Sequence, residues 1–254
     1  MFKPQSMLNV AVSACFIGPA IMVTADVLTI ILNHRFDLVE QTISGFAVGP
    51  YGWLEKIGIV MIAVCFLLMG LVLLNVNNVN NLRWLKITGI LFLTAAGGFL
   101  FTALINTTFV TVIAGIHFSF HKLSLVIGSV GFYQACLIFT GLMLSKPGLM
   151  AFGIYSGFVY LVGLATLLWV LFSFHYIAYS GLAERILTGV NLIWIILIGP
   201  RVIKLAGASV PEKQPAGVLQ PQLKYNQIDT DSGSSATMVE VQGNEPGNNK
   251  QSTY

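Results

Sequence analysis

Six long apolar stretches alternate with short polar connections along the chain, over residues 7–32, 51–75, 84–106, 118–144, 149–174 and 182–206. A hydrocarbon core about 30 Å thick is crossed by roughly 20 helical residues. A helix also satisfies its own backbone there, so each stretch predicts one membrane-spanning helix. The first stretch follows Lys3 much as a secretory leader would. Its apolar run goes on for about 25 residues without a small-residue cleavage site, so it counts as a span. After Ala206 the pattern stops, and residues 207–254 turn to Pro, Gly, Gln, Asn, Ser and Asp. Such a segment buries too little apolar surface to offset its chain entropy, which predicts a disordered tail. The expected architecture is therefore an all-α, polytopic domain of six transmembrane helices over 1–206, followed by that tail.

Composition agrees with this pattern. The chain has 254 residues, of which 56% are hydrophobic and 9% charged, and its mean hydropathy is +0.80. A water-soluble fold of this size needs far more polar surface. Thirteen Lys and Arg against ten Asp and Glu leave a net charge of only +3, too little for a basic nucleic-acid face. Membrane lipids are the expected partners, and no nucleic acid is. Cys15, Cys65 and Cys136 all fall inside spans, where packing is the ordinary role of a cysteine.

Charge sets the expected orientation. Lys3, Arg83, Lys86, Lys146, Arg201, Lys204 and Lys213 collect on one side of the six spans, against Arg35, Lys56, Lys122 and Arg185 on the other. The excess of cations marks the cytoplasmic face, so both termini are expected there. Tyr51, Trp53 and Trp84 stand at span ends, where aromatic anchors belong. Within the tail, Tyr225-Asn226-Gln227-Ile228 has the form of a tyrosine-based sorting signal, and Ser252-Thr253-Tyr254 suits a C-terminal capture groove. Either would call for a tail-binding protein.

Inside a bilayer helices associate through small residues that let backbones approach. Ala95 to Gly98 on the third span, Ser124 and Gly128 on the fourth, and Gly153 and Gly157 on the fifth are candidate seams. Pro19 and Pro200 each remove an amide donor and are expected to kink their helices, or in the case of Pro200 to end it.

Once orientation is assigned, the polar chemistry gathers on one side. His34, His117, His121 and His175 all lie at the outer ends, together with Asp37, Glu40, Glu55 and Glu184 in or beside outer loops. Asp26 sits within the first apolar run, where an acid is costly and should face protein or trapped water, with His175, His121 or Arg185 as its partner. Asp26, Glu40, Ser44, His121, His175 and Glu184 are therefore the expected lining of an outward-opening pocket for a lipid head group or small polar ligand. No cofactor or metal is expected. His117 and His121 would share a helical face if the fourth helix began early enough, and His175 is the next imidazole available as a ligand. No His-Glu-x-x-His or Cys-x-x-Cys occurs. Ser44, Ser119 and Ser173 lack a Gly-x-Ser-x-Gly elbow, and there is no phosphate loop or dinucleotide fingerprint. Catalysis is thus not expected. The alternatives are a transporter of a small solute, which broken helices in related halves would favour, and a metal-dependent membrane hydrolase using Asp26, His121 and His175.

The run Thr42-Ile43-Ser44-Gly45-Phe46-Ala47-Val48-Gly49-Pro50-Tyr51-Gly52-Trp53-Leu54 resembles the signature loop of the bacterial integral membrane proteins grouped as domain of unknown function 998. The resemblance covers about residues 8–201. It implies six helices, a Gly-Pro-Tyr-Gly-Trp start to the second span, and a histidine opening the fourth, a place that His121 fits better than His117. It also implies a bacterial inner membrane. Members usually carry a Phe-Pro-Thr-Asp-like turn after the third span, where this chain has Ile105-Asn106-Thr107-Thr108. If that acid belongs to a site shared with the histidine, Asp26 or Glu40 replaces it here. The resemblance carries no activity, because the family has none assigned. Glu40 and Ser44 are expected to point inward beside His121.

Overall fold

A computed structural model describes residues 4–33, 39–43, 47, 49–76, 81–105, 110–113, 116–172 and 180–207. Among the described residues, six long helices stand out: α1 (Pro4–Leu32), α2 (Gly52–Leu74), α3 (Leu82–Leu104), α4 (Phe120–Leu144), α5 (Met150–Phe172) and α6 (Ser180–Gly207). All six contain segments long and apolar enough to cross a membrane. The chain is an integral membrane protein with an all-helical spanning domain, and no helix bound departs from the expected one by more than three residues. Residues 208–254, including both tail motifs, lie outside the described residues.

The connection between α3 and α4 was not assigned any regular structure from the sequence. It contains an antiparallel hairpin of β1 (Val110–Ile113) and β2 (Ile116–Ser119), with Val110 opposite Ser119 and Ile113 opposite Ile116. The β-branched and aromatic run on either side of Ala114-Gly115 is its sequence signal. Ser119 then caps α4 by accepting from the Lys122 backbone N–H at 3.4 Å.

The helices form a closed ring. Each packs on its neighbours in sequence, α6 closes against α1, and α2 also touches α6 across the middle. Backbone approach at small residues makes this possible. A Cβ placed on Gly98 of α3 would lie 2.3 Å from the Gly128 nitrogen of α4, and one on Gly131 would lie 2.8 Å from the Leu91 carbonyl oxygen. Gly153 similarly seats α5 against Leu144. The interior is aromatic. Phe66, Phe92, Phe132, Phe139 and Trp194 are buried together, with Phe132 edge-on to Trp194 at 5.2 Å between ring centres. Outward, α5 presents Ile154, Phe158 and Leu161 in one exposed stripe at helical spacing, a face suited to acyl chains.

Pro19 and Pro200 lie inside helices that continue past them, so Pro200 does not end α6. A residue whose amide is lost to proline leaves a free carbonyl one turn back, which the interior of a bundle tolerates. The cysteines are free thiols and buried, with Cys15 and Cys65 Sγ atoms 3.8 Å apart.

Candidate functional site

The polar residues of one end of the bundle fall into two groups: an ion-paired cluster and the wall of a cavity. Both lie where α1 ends and α2, α4 and α6 begin.

Asp26 finds its partner in Arg185. The guanidinium reaches from α6 to α1 and places Nε 3.2 Å from Oδ2 and Nη2 3.3 Å from Oδ1 of the carboxylate. Only 15% of the Arg185 side chain and 18% of Asp26 is accessible, so the fork-to-fork pair is largely desolvated. Arg185 Nη1 donates to the carbonyl oxygens of Gln41 at 2.9 Å and Gly181 at 3.2 Å. One side chain thereby ties together two helices and the α1–α2 connection. Of the three partners weighed for Asp26, Arg185 fills the role, and His121 is engaged elsewhere.

Glu55, expected in or beside an outer loop, stands beside the α1–α2 connection in the first turn of α2, and it is wholly buried. Asp26, Thr29 and Arg185 are its polar neighbours, yet neither carboxylate oxygen makes a hydrogen bond of normal geometry among the described residues. Burial arises because α2 is the helix enclosed by α1, α3 and α6 at once.

The cavity, of about 110 Å³, opens among α1, α2, α3, α4 and α6. Its walls are mostly apolar, including Met22, Ile62, Phe66, Phe99 and Phe132, and its polar atoms come from Thr102, His121, Glu184, Thr188 and Asn191. Ile43, from the α1–α2 connection, also lines it. Glu184 holds that residue in place: its Oε2 accepts the Ile43 backbone N–H at 2.7 Å. Ile43 is therefore part of the cavity wall.

His121 is 5% exposed. Its Nδ1 lies 3.1 Å from the carbonyl oxygen of Ile105, the residue that closes α3. A carbonyl only accepts, so Nδ1 carries the proton, and Nε2 is left buried without a partner. Asn191 repeats the situation. Its Nδ2 donates to the Tyr133 hydroxyl at 3.2 Å, while its Oδ1 is buried with no donor. Thr102 and Ser124 face each other at 3.1 Å across the same α3–α4 seam.

Two expectations change. Glu40 is exposed and does not line the cavity, because the inward place in its connection is taken by Ile43. His117 belongs to β2 and His121 to α4, so their spacing of four is not a helical one and they do not share a helix face. Ser44 and His175 lie outside the described residues, as do His34 and Asp37. Among the described residues no three His, Cys, Asp or Glu side chains converge in a metal-binding group. Asn191, Thr102, Thr188, Thr29, Glu55 and Arg185 join Asp26, His121 and Glu184 in the two polar groups. Asn191 was visible in the sequence as a lone amide within an apolar run; the burial of Glu55 was not visible, because it depends on which helices surround α2.

The fold and its polar end define a six-span membrane bundle with a small, partly open cavity. A family model described as "Protein of unknown function (DUF998)" matches residues 16–200, and the chain belongs to that family. No curated protein and no solved structure matches the chain.

Proposed function

We propose that the cavity binds a small molecule, or the head group of a lipid, that brings hydrogen-bond donors to His121 and Asn191. The observation that carries this reading is the buried, unpartnered Nε2 of His121 on the cavity wall. Leaving a buried acceptor unmade costs about 1–3 kcal/mol, and a donor from a ligand removes that penalty. Asn191 Oδ1 is a second acceptor of the same kind. Both favour an amine or hydroxyl group over a bare anion. The largely apolar remainder of the wall favours a ligand with a hydrocarbon part. Glu184 orients the Ile43 backbone, and Ile43 serves as the cover.

The site opens to the outside of a bacterial inner membrane, with both termini in the cytoplasm, a placement supported by the distribution of Lys and Arg. Activity of a C-terminal reporter that works only in the cytoplasm tests the orientation. The ligand is tested by purifying the protein in lipid nanodiscs and identifying small molecules retained after denaturation by mass spectrometry. A species bearing an amine or hydroxyl should be recovered with the native chain and lost with His121→Phe. Recovery of the same species from both proteins removes His121 from the site.

A further inference from the structure

The charges at the polar end do not balance. Asp26 and Glu55 supply two carboxylates and Arg185 a single guanidinium, which among the described residues donates to Asp26 and to the Gln41 and Gly181 carbonyls. Glu55 is 0% exposed, and among the described residues neither of its oxygens makes a hydrogen bond of normal geometry. Thr29, one turn beyond Asp26 on α1 and a polar neighbour of Glu55, is also 0% exposed, and its Oγ1 likewise makes none of normal geometry there. A carboxylate buried alone is among the most costly groups a membrane interior can hold. Here it stands beside a hydroxyl with the same deficiency and a second acid already spent on an arginine.

Among the described residues, no further cation is paired with Glu55. On α6, Glu184 adds a negative group and is turned to the Ile43 backbone. On α2, Lys56 follows Glu55 but has an interaction of its own. On α3, the cations Arg83 and Lys86 stand in the first turns, at the opposite end from the α3 terminus that approaches His121. The cluster of Asp26, Glu55 and Arg185 thus carries one negative charge in excess.

We propose that Glu55, Thr29 and Asp26 form a binding site for one monovalent cation. A single positive charge brings the cluster to neutrality and gives the orphaned oxygens a partner, whereas a divalent ion overshoots by one. The charge has two sources that share this chemistry. One is a proton on the Glu55 carboxyl. The other is a sodium ion held by the oxygens of Glu55, Thr29 and Asp26. The site is separate from the cavity, since none of these three residues lines it, and it stands whether or not the cavity binds a ligand.

Thermal unfolding of the full-length protein in detergent, followed by tryptophan fluorescence, tests the site. Two series are needed: pH 6 to 9 in choline chloride, and sodium replacing choline at constant ionic strength and pH 8. A ligand of the folded state alone should move Tm by roughly 3–5 °C for each tenfold change in its concentration above half-saturation. If the source is a proton, the native Tm falls as pH rises; if it is sodium, Tm rises with sodium. Glu55→Gln should lose the response in question and should unfold no lower than the native chain when cations are scarce. Glu55→Ala carries the same expectation should the glutamine variant not fold. Thr29→Val separates the sources, raising the half-saturating sodium concentration tenfold or more but leaving a proton response in place. A native protein indifferent to both series overturns the proposal. So does a response that persists unchanged in the Glu55 variants.

Discussion

Two sets of buried polar atoms lie within the same bundle and are treated in opposite ways. Between α4, α5 and α6, the Trp194 indole N–H donates to Ser156 Oγ at 2.9 Å, and that hydroxyl donates to the Cys136 carbonyl at 2.9 Å. Tyr155 joins the same region by donating to the Val190 carbonyl at 3.0 Å. Each of these donors is used. At the cavity, His121 and Asn191 are half used: each donates once and keeps a buried acceptor with nothing opposite it. Burial alone therefore does not separate the two sets, since Trp194 and Ser156 are more deeply enclosed than Asn191. Completeness of hydrogen bonding does. A closed chain of hydrogen bonds is finished when the protein folds, whereas an open buried acceptor is a cost that calls for an explanation.

The largest effect is expected where the cavity wall depends on one backbone contact. Gly98 and Gly128 bring α3 and α4 together, and the cavity wall of Phe99, Thr102, His121 and Leu125 is built on that seam. Gly98→Val forces backbone away from backbone, because the new Cβ would lie 2.3 Å from one main-chain atom and 2.5 Å from another. Overpacking costs about 1–3 kcal/mol where side chains can yield; here none is available to move. The expected outcome is loss of monodisperse protein on size exclusion. Gly97→Val, one residue away with open space around its Cβ position, should purify normally.

Next in size is the ion pair. Removing one partner of a buried pair typically costs about 3–5 kcal/mol, because the other charge is left behind. Arg185→Ala leaves Asp26 and the neighbouring Glu55 without their cation and frees the Gln41 carbonyl, so it should fall in that range when unfolding is followed in detergent. Adding Asp26→Asn to it should recover part of the loss. A full-strength effect that the second substitution does not relieve would mean that Arg185 acts through Gln41 and Gly181 instead.

Ser156→Ala belongs to the closed set. It strands the Trp194 N–H, and a buried donor without an acceptor costs about 1–3 kcal/mol. Stability should drop by that amount while any ligand retained by the native protein stays bound. Loss of ligand in this variant would show that the closed network also shapes the cavity.

The sequence was legible wherever one chain segment decided the matter. Apolar run length placed six spans, small residues marked the seams at Gly98, Gly128 and Gly153, and a buried acid at residue 26 demanded a partner. It was less legible wherever two distant segments had to meet. Arg185 was one choice among three for Asp26, since depth in the membrane was known but the closing of α6 on α1 was not. Glu55 looked interfacial because it follows Tyr51 by only four residues, and its burial comes from three helices gathering around α2. Glu40 and Ile43 compete for the inward side of one connection; the charge of Glu40 suggested chemistry, yet the apolar residue is the one that fits beneath a backbone held by Glu184.

The smallest stability effect should come from the residue with the largest expected role in binding. His121→Phe keeps a ring of similar shape in a wall that already includes Phe66, Phe99 and Phe132. It gives up one hydrogen bond to Ile105, a net contribution of about 0.5–1.5 kcal/mol. It also removes the buried Nε2 acceptor, whose penalty is of the same order in the empty protein. The two nearly cancel, so ligand-free His121→Phe should unfold within about 1 kcal/mol of the native chain. With ligand present the variants part, because only the native imidazole has an acceptor to offer. His121→Gln helps to separate shape from chemistry, since its amide also offers an acceptor to the cavity. Binding lost in His121→Phe and partly kept in His121→Gln assigns the effect to the lone pair. Binding lost equally in both assigns it to the position of the ring. A His121→Phe protein as unstable as Ser156→Ala would place His121 among the closed, structural groups after all.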